Sequence, residues 1–225
     1  MSGANERMVT IPCGSLGADA ALEGLYLRAA GPSQGGAVIA PPHPLYGGSM
    51  DNAVVSELAF VCAQVGLSSL RFNWRGVGAS AGSPSGDPQA AVQDYAAALA
   101  QLCETAPGLL VLCGYSFGAG AAAAQLPPSV EPEVRGLLLV APPPQLLEPE
   151  RLSAFRGEVL LIAGQHDQIA PPASLQRLAD TLAAATLVVL PKVDHFFSRG
   201  LAELGHESAA WLHNIVEANR KRVRG

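Results

Sequence analysis

The feature that most limits what this chain can fold into is an alternation. From Gly36 onward, short runs rich in valine, isoleucine and leucine are separated by longer alanine-rich stretches, the order produced when parallel strands are joined by crossover helices. The apolar runs predict strands at 36–41, 67–73, 108–114, 135–141, 158–164 and 186–190. Their near-continuous hydrophobicity implies burial on both faces. Helices are expected at 52–65, 88–103, 117–125, 172–184 and 201–219, several opened by the proline or acidic residue typical of a first turn. Ahead of these, 8–12 and 20–29 read as two antiparallel edge strands, because the link between them is too short for a crossover helix. The expected architecture is a doubly wound α/β fold, with a mostly parallel central sheet, helices on both faces and one domain over residues 1–225. The stretch 142–155 is too short to build a helical cap above it, so an open, shallow site is expected.

Composition narrows the partners. With 225 residues, 49% of them hydrophobic, the chain can bury a sizeable core. A formal net charge of −5 provides no broad cationic surface for a phosphate backbone, so no nucleic-acid partner is expected. Arg220, Lys221, Arg222 and Arg224 form a basic cluster at the end of the chain, read as a solvated, frayed tail. Met1 to Thr10 carries Glu6 and Arg7 and lacks the apolar stretch of a secretory signal. The apolar runs fall far short of the ~20 residues that span a bilayer, so a cytoplasmic protein without membrane association is expected. Cys13, Cys62, Cys103 and Cys113 have no Cys-x-x-Cys spacing and read as buried thiols rather than a disulfide framework or zinc site.

One motif carries chemistry. Gly114-Tyr115-Ser116-Phe117-Gly118 follows the strand-like run Leu109-Leu110-Val111-Leu112-Cys113 and precedes the alanine-rich run that starts at Ala119. In a strand–turn–helix context such a turn lifts the serine into strained backbone geometry, and the flanking glycines clear the neighbouring elements. A serine hydroxyl needs a base within reach and an acid to fix that base's tautomer. Asp167 follows the predicted strand 158–164, and His195 follows the one ending at Leu190. The order Ser116, Asp167, His195, each beyond the carboxyl end of a strand, is the triad order of α/β-hydrolases.

On these residues, and on the strings His43-Pro44-Leu45-Tyr46-Gly47-Gly48-Ser49-Met50-Asp51-Asn52 and Arg71-Phe72-Asn73-Trp74-Arg75-Gly76-Val77-Gly78-Ala79-Ser80, the chain resembles the α/β-hydrolase superfamily. More narrowly, it is similar to the small, capless, dienelactone-hydrolase-like serine esterases, from about residue 36 to about residue 211. Dienelactone hydrolases carry a cysteine where this chain has Ser116, so their lactone chemistry is not implied. Ordinary serine-esterase chemistry is: a small-molecule ester of a small or medium acyl group, an acyl-enzyme on Ser116, and no cofactor or metal.

For the oxyanion, this fold takes one N–H from the residue after the nucleophile, here Phe117, and a second from the loop after the third strand. Pro44 has no N–H, which makes Leu45 the expected second donor and Tyr46 the fallback. Aromatic residues are scarce overall but gather in the loops after strands, and Tyr46, Tyr115 and Phe196 are the expected contacts to an apolar acyl or aryl group. His43 is expected to hold the oxyanion loop, His166 to point away, and His206 and His213 to sit on the last helix. Asp194 adjoins His195 too closely to reach its ring in line. Arg75 is expected to tie its loop to backbone carbonyls. Three readings stay open beside hydrolysis: a non-catalytic binding protein, a thioesterase or acyltransferase with the same triad, and, for assembly, a homodimer.

Overall fold

The computed structural model describes residues 6–126 and 134–224. Two antiparallel strands, β1 (Glu6–Pro12) and β2 (Ala21–Leu27), open the chain. The alternating part follows as β3 (Gly35–Ala40), α1 (Ala53–Gln64), β4 (Ser68–Phe72), α2 (Pro88–Thr105), β5 (Leu109–Tyr115), α3 (Phe117–Ala124), β6 (Val134–Val140), α4 (Pro149–Ala154), β7 (Glu158–Gly164), α5 (Pro172–Ala179), β8 (Ala185–Leu190) and α6 (Leu201–Arg224). Among the described residues these strands form one eight-stranded sheet in the order β1-β2-β4-β3-β5-β6-β7-β8, parallel from β4 through β8. The alternation in the sequence thus reads through to a wound sheet, with α1 packed on α6 and α2 on α3.

Local chemistry explains where elements begin. Asn52 accepts the Val54 N–H at 2.9 Å and starts α1, and Asp87 accepts the Gln89 N–H at 3.0 Å to start α2, whose first residue is Pro88. Strands β3, β4 and β5 are buried along their whole length, as continuous apolar runs require. β8 departs from that expectation: as the edge strand it is half-exposed, because only β7 flanks it. α5 stops at Ala179 rather than reaching 184, since Thr181 turns its hydroxyl back onto the Leu178 carbonyl and the chain must enter β8 at Ala185.

The basic end is also a correction. α6 continues through Arg224, so Arg220, Lys221 and Arg222 lie on a helix instead of a frayed tail. An Arg220–Glu217 ion pair and the preference of cations for a helix carboxyl end explain the extension. The side chain of Arg224 and residues 1–5, part of the segment read for a signal, lie outside the described residues. Among the described residues no helix is long and apolar enough to cross a membrane.

Candidate active site

Ser116 sits at the sharp joint between β5 and α3 with φ 54° and ψ −116°, a conformation that L-residues rarely adopt. Its N–H is held by the Val140 carbonyl of the neighbouring strand at 2.9 Å. The two motif glycines are required by space. A Cβ on Gly114 would lie 2.2 Å from the Gly118 carbonyl oxygen, and one on Gly118 would lie 2.5 Å from the Pro41 oxygen at the end of β3.

Three elements bring polar groups to that joint. Ser116 Oγ lies 2.9 Å from His195 Nε2, and His195 Nδ1 lies 2.8 Å from Asp167 Oδ2, all three residues being buried. A carboxylate only accepts, so Nδ1 carries the proton and the Nε2 lone pair faces the serine hydroxyl. The other Asp167 oxygen accepts the N–H groups of Ile169 and Ala170 at 2.8 and 2.7 Å, which holds the carboxylate against rotation. Asp194 turns away and accepts the Phe196 N–H at 3.1 Å.

The loop bearing His195 is tied to the serine's own strand. The Tyr115 hydroxyl donates to the His195 carbonyl at 2.8 Å. Burial, then the charges of Asp167 and Asp194, push the Tyr115 pKa well up, so the hydroxyl stays a donor. Tyr115 therefore does more than border the site: it spans from the nucleophile's neighbour to the base's backbone.

The oxyanion loop differs from expectation at one atom. Phe117 opens α3, and its N–H is among the first-turn donors a helix cannot satisfy itself. The Leu45 N–H, however, donates to His43 Nδ1 at 3.2 Å, and the Leu45 side chain is exposed to solvent. The fallback, the Tyr46 N–H, donates to the His43 carbonyl at 3.1 Å. His43 thus holds the loop as expected, and in doing so occupies the donor assigned to the oxyanion. Burial lowers its pKa from the ordinary 6.5, consistent with a neutral ring accepting at Nδ1.

The two long strings in the sequence are sewn together here. Trp74 Nε1 donates to the Pro42 carbonyl at 2.9 Å, Asn73 Oδ1 accepts the Met50 N–H at 2.9 Å, and Arg71 donates to the Met50 carbonyl at 2.6 Å. Arg75 behaves differently from its expected role. Its guanidinium pairs mainly with the buried Asp94 carboxylate of α2 at 2.7 Å, with the Ala90 carbonyl second, and the hydrogen bond to Asp94 raises its pKa.

Around Ser116 and His195 lies a cavity of about 480 Å³, within the range usual for small-molecule sites. Tyr46, Tyr115 and Phe196 line it, and so do Asn52, Pro143, Leu146 and Ile169, which the sequence did not single out. The signal available for them was position: Pro143 and Leu146 follow β6, and Ile169 stands two residues past Asp167. Among the described residues, no Asp, Glu, Lys or Arg lines the cavity. His206 and His213 are exposed on α6, and His166 is exposed beside Asp167 with its N–H on the Val193 carbonyl.

Comparison with known proteins places this geometry. A family model described as serine aminopeptidase, S33, matches residues 45–149. An uncharacterised protein of Rickettsia prowazekii is 29% identical over 192 residues, covering 80% of this chain and 79% of that one. Two uncharacterised proteins of Mycobacterium tuberculosis are 30% identical over 177 residues, and the match spans 66% of this chain but only 60% of theirs. The crystal structure of a lidless α/β serine hydrolase from Xanthomonas campestris is 30% identical, with a TM-score of 0.75, over 91% of this chain and 92% of that one. The chain belongs to the α/β-hydrolases. Between β6 and β7, where a cap could be inserted, this hydrolase has only the 3-10 turn Pro144–Leu146 and the six-residue α4, and no cap domain. It is a hydrolase of the serine type.

Proposed function

We propose that this hydrolase cleaves carboxylic esters of small or medium, uncharged acyl groups, with Ser116 as nucleophile, His195 as general base and Asp167 as the acid that orients it. The observation that carries the substrate class is the uncharged lining of the cavity beside Ser116. An apolar acyl group loses nothing by entering it, whereas a charged group would give up its hydration for no counter-ion.

In the proposed reaction Ser116 Oγ attacks the ester carbonyl carbon as its proton passes to His195 Nε2. The Phe117 N–H receives the developing oxyanion. The Leu45 N–H joins it by leaving or sharing His43 Nδ1. The tetrahedral adduct expels the alcohol, which takes the proton from Nε2. Water then loses a proton to the same nitrogen, attacks the acyl-enzyme and releases the acid. Tyr46, Phe196 and Ile169 supply apolar contact to the acyl group.

The matching family model favours a second reading, removal of an amino-terminal residue from a peptide. That reaction calls for a carboxylate to receive the substrate's ammonium group, and none lines the cavity among the described residues. The test is hydrolysis of p-nitrophenyl acetate, butyrate and octanoate beside an aminoacyl p-nitroanilide, by wild type and Ser116→Ala. Ester turnover that falls at least ~10³-fold in the variant, with the anilide untouched, supports the ester reading. Anilide turnover alone, or equal rates in both proteins, refutes it.

A further inference from the structure

Far from the serine, three arginines converge where hydrolysis has no use for them. A cavity of about 200 Å³ opens at the amino-terminal ends of β6 and β7, walled by Arg135, Arg156 and Glu158 and, from α6, by Ile215, Asn219 and Arg222. β6 and β7 run parallel, and Asp167 lies past the opposite end of β7. The cavity is therefore about 20 Å, the length of a seven-residue strand, from the catalytic end of the sheet.

Among the described residues these arginines lack the carboxylate partners that Arg71 and Arg75 have. Arg71 pairs with Glu6 and Arg75 with Asp94, each at 2.7 Å. Arg135 Nε, by contrast, is buried without a hydrogen-bond partner. Among the described residues neither Arg135 nor Arg156 has an ion pair, and Arg222 reaches only Asn219 Oδ1, at 3.4 Å. Glu158, the one carboxylate among the described residues of the wall, forms no ion pair with any of them, so among those residues the three arginines leave two positive charges unmatched. This concentration occurs in a chain whose net charge is −5. Burial, and after it the nearby charge of Arg222, press the Arg135 pKa down, and an anion bound beside Arg135 would offset both.

Backbone geometry singles out the same residue. Val134 stands opposite Leu110 and Gly136 opposite Val111, so the β5–β6 register slips and leaves Arg135 as the extra residue of a bulge. Bulges re-aim a side chain at the expense of a ladder bond. Arg222, two residues from the end of α6, has a reason of its own in the helix dipole. Arg135 and Arg156 have none.

We infer that this cavity binds a phosphate-bearing anion, gripped by Arg135 and Arg156 with Arg222 completing the charge. A phosphate monoester dianion matches the two unmatched positive charges, and its oxygens accept from forked guanidinium donors. The volume has room for the phosphate and a few further atoms. The phosphate can belong to a soluble metabolite or to a lipid headgroup.

The test is calorimetric titration of the full chain with inorganic phosphate and with glycerol 3-phosphate, ionic strength being held constant with sodium chloride. It is paired with sedimentation on phosphatidylcholine vesicles with and without phosphatidic acid. Saturable binding to one site is expected, weakened at least ~10-fold in Arg135→Gln and in Arg156→Gln and unchanged in Ser116→Ala. Ester turnover without phosphate stays the same in both arginine variants. Capture only by phosphatidic acid vesicles assigns the lipid source, and binding of the free monoester alone assigns the soluble one. Should Arg135→Gln fail to fold, the exposed Arg156 carries the comparison. The inference is overturned by absence of saturable binding to any of these probes, by binding that survives both arginine changes, or by binding that Ser116→Ala abolishes.

Discussion

Replacing Gly118 by alanine adds one methyl group where main chain closes off the space around the serine turn. Its Cβ would stand 2.5 Å from the Pro41 oxygen, 2.6 Å from the Ala40 oxygen and 2.8 Å from the Ala40 carbonyl carbon. All three atoms are main chain at the end of β3, so no side chain can swing aside. Ordinary contact begins near 3.4 Å, and the start of α3 must therefore separate from β3 by about 0.9 Å. Ser116 and the Phe117 N–H ride on that segment, while His195 is held by another loop. A shift of that size breaks the 2.9 Å Ser116–His195 approach, and misplacement by ~1 Å costs about 10²-fold in rate. Overpacking of this kind costs ~1–3 kcal/mol, and each kcal/mol lowers Tm by roughly 2–4 °C in a chain this long. Initial rates on p-nitrophenyl butyrate and a calorimetric scan on the same preparation read both effects. A Gly118→Ala protein with turnover within about two-fold of wild type and an unchanged Tm would refute the claim that the serine turn is wedged against β3.

Two other changes probe the polar line and its loop. Asp167→Asn replaces an acceptor of three hydrogen bonds with a group that can donate to His195 Nδ1 and so impose the wrong tautomer. The expected result is a loss of ~10⁴ in kcat with KM nearly unchanged, and retention of more than a tenth of the activity contradicts the role given to Asp167. His43 gives a pH signature: burial sets its folded pKa below the ordinary 6.5, so its contribution to stability is complete above 6.5 and lost as the pH falls through the lowered value. Measured by Tm from pH 8 to pH 5, wild type should lose ground to the non-titrating His43→Gln on the acid side, and a constant difference between them counts against the partly buried neutral ring.

The inner strands are legible in the sequence because each is an uninterrupted apolar run, and a sheet covered on both faces demands that pattern. β8 carries the same pattern, yet its edge position leaves Val189 exposed, a fact set by strand order and not by its own residues. Ser116, Asp167 and His195 can be found from the sequence because each follows a strand, so the wound sheet itself gathers them. Contacts made sideways are hidden: Arg75 meets Asp94 from α2, and the bulge at Arg135 depends on the register of β5. The Leu45 N–H escapes for a finer reason, since its partner is decided by the side-chain rotation of His43, two residues away.

The missing cap has a consequence in time. Tyr46 and Phe196, at the mouth of the cavity, are 87% and 71% exposed, so bulk water stands continuously against the position where an acyl-enzyme would form. A lidded enzyme spends part of each cycle closing and reopening, and its intermediate is shielded between those events. With no cap to close, an acyl-enzyme formed in the proposed reaction would meet bulk solvent throughout its lifetime, and that lifetime would be set by how fast an incoming nucleophile is activated.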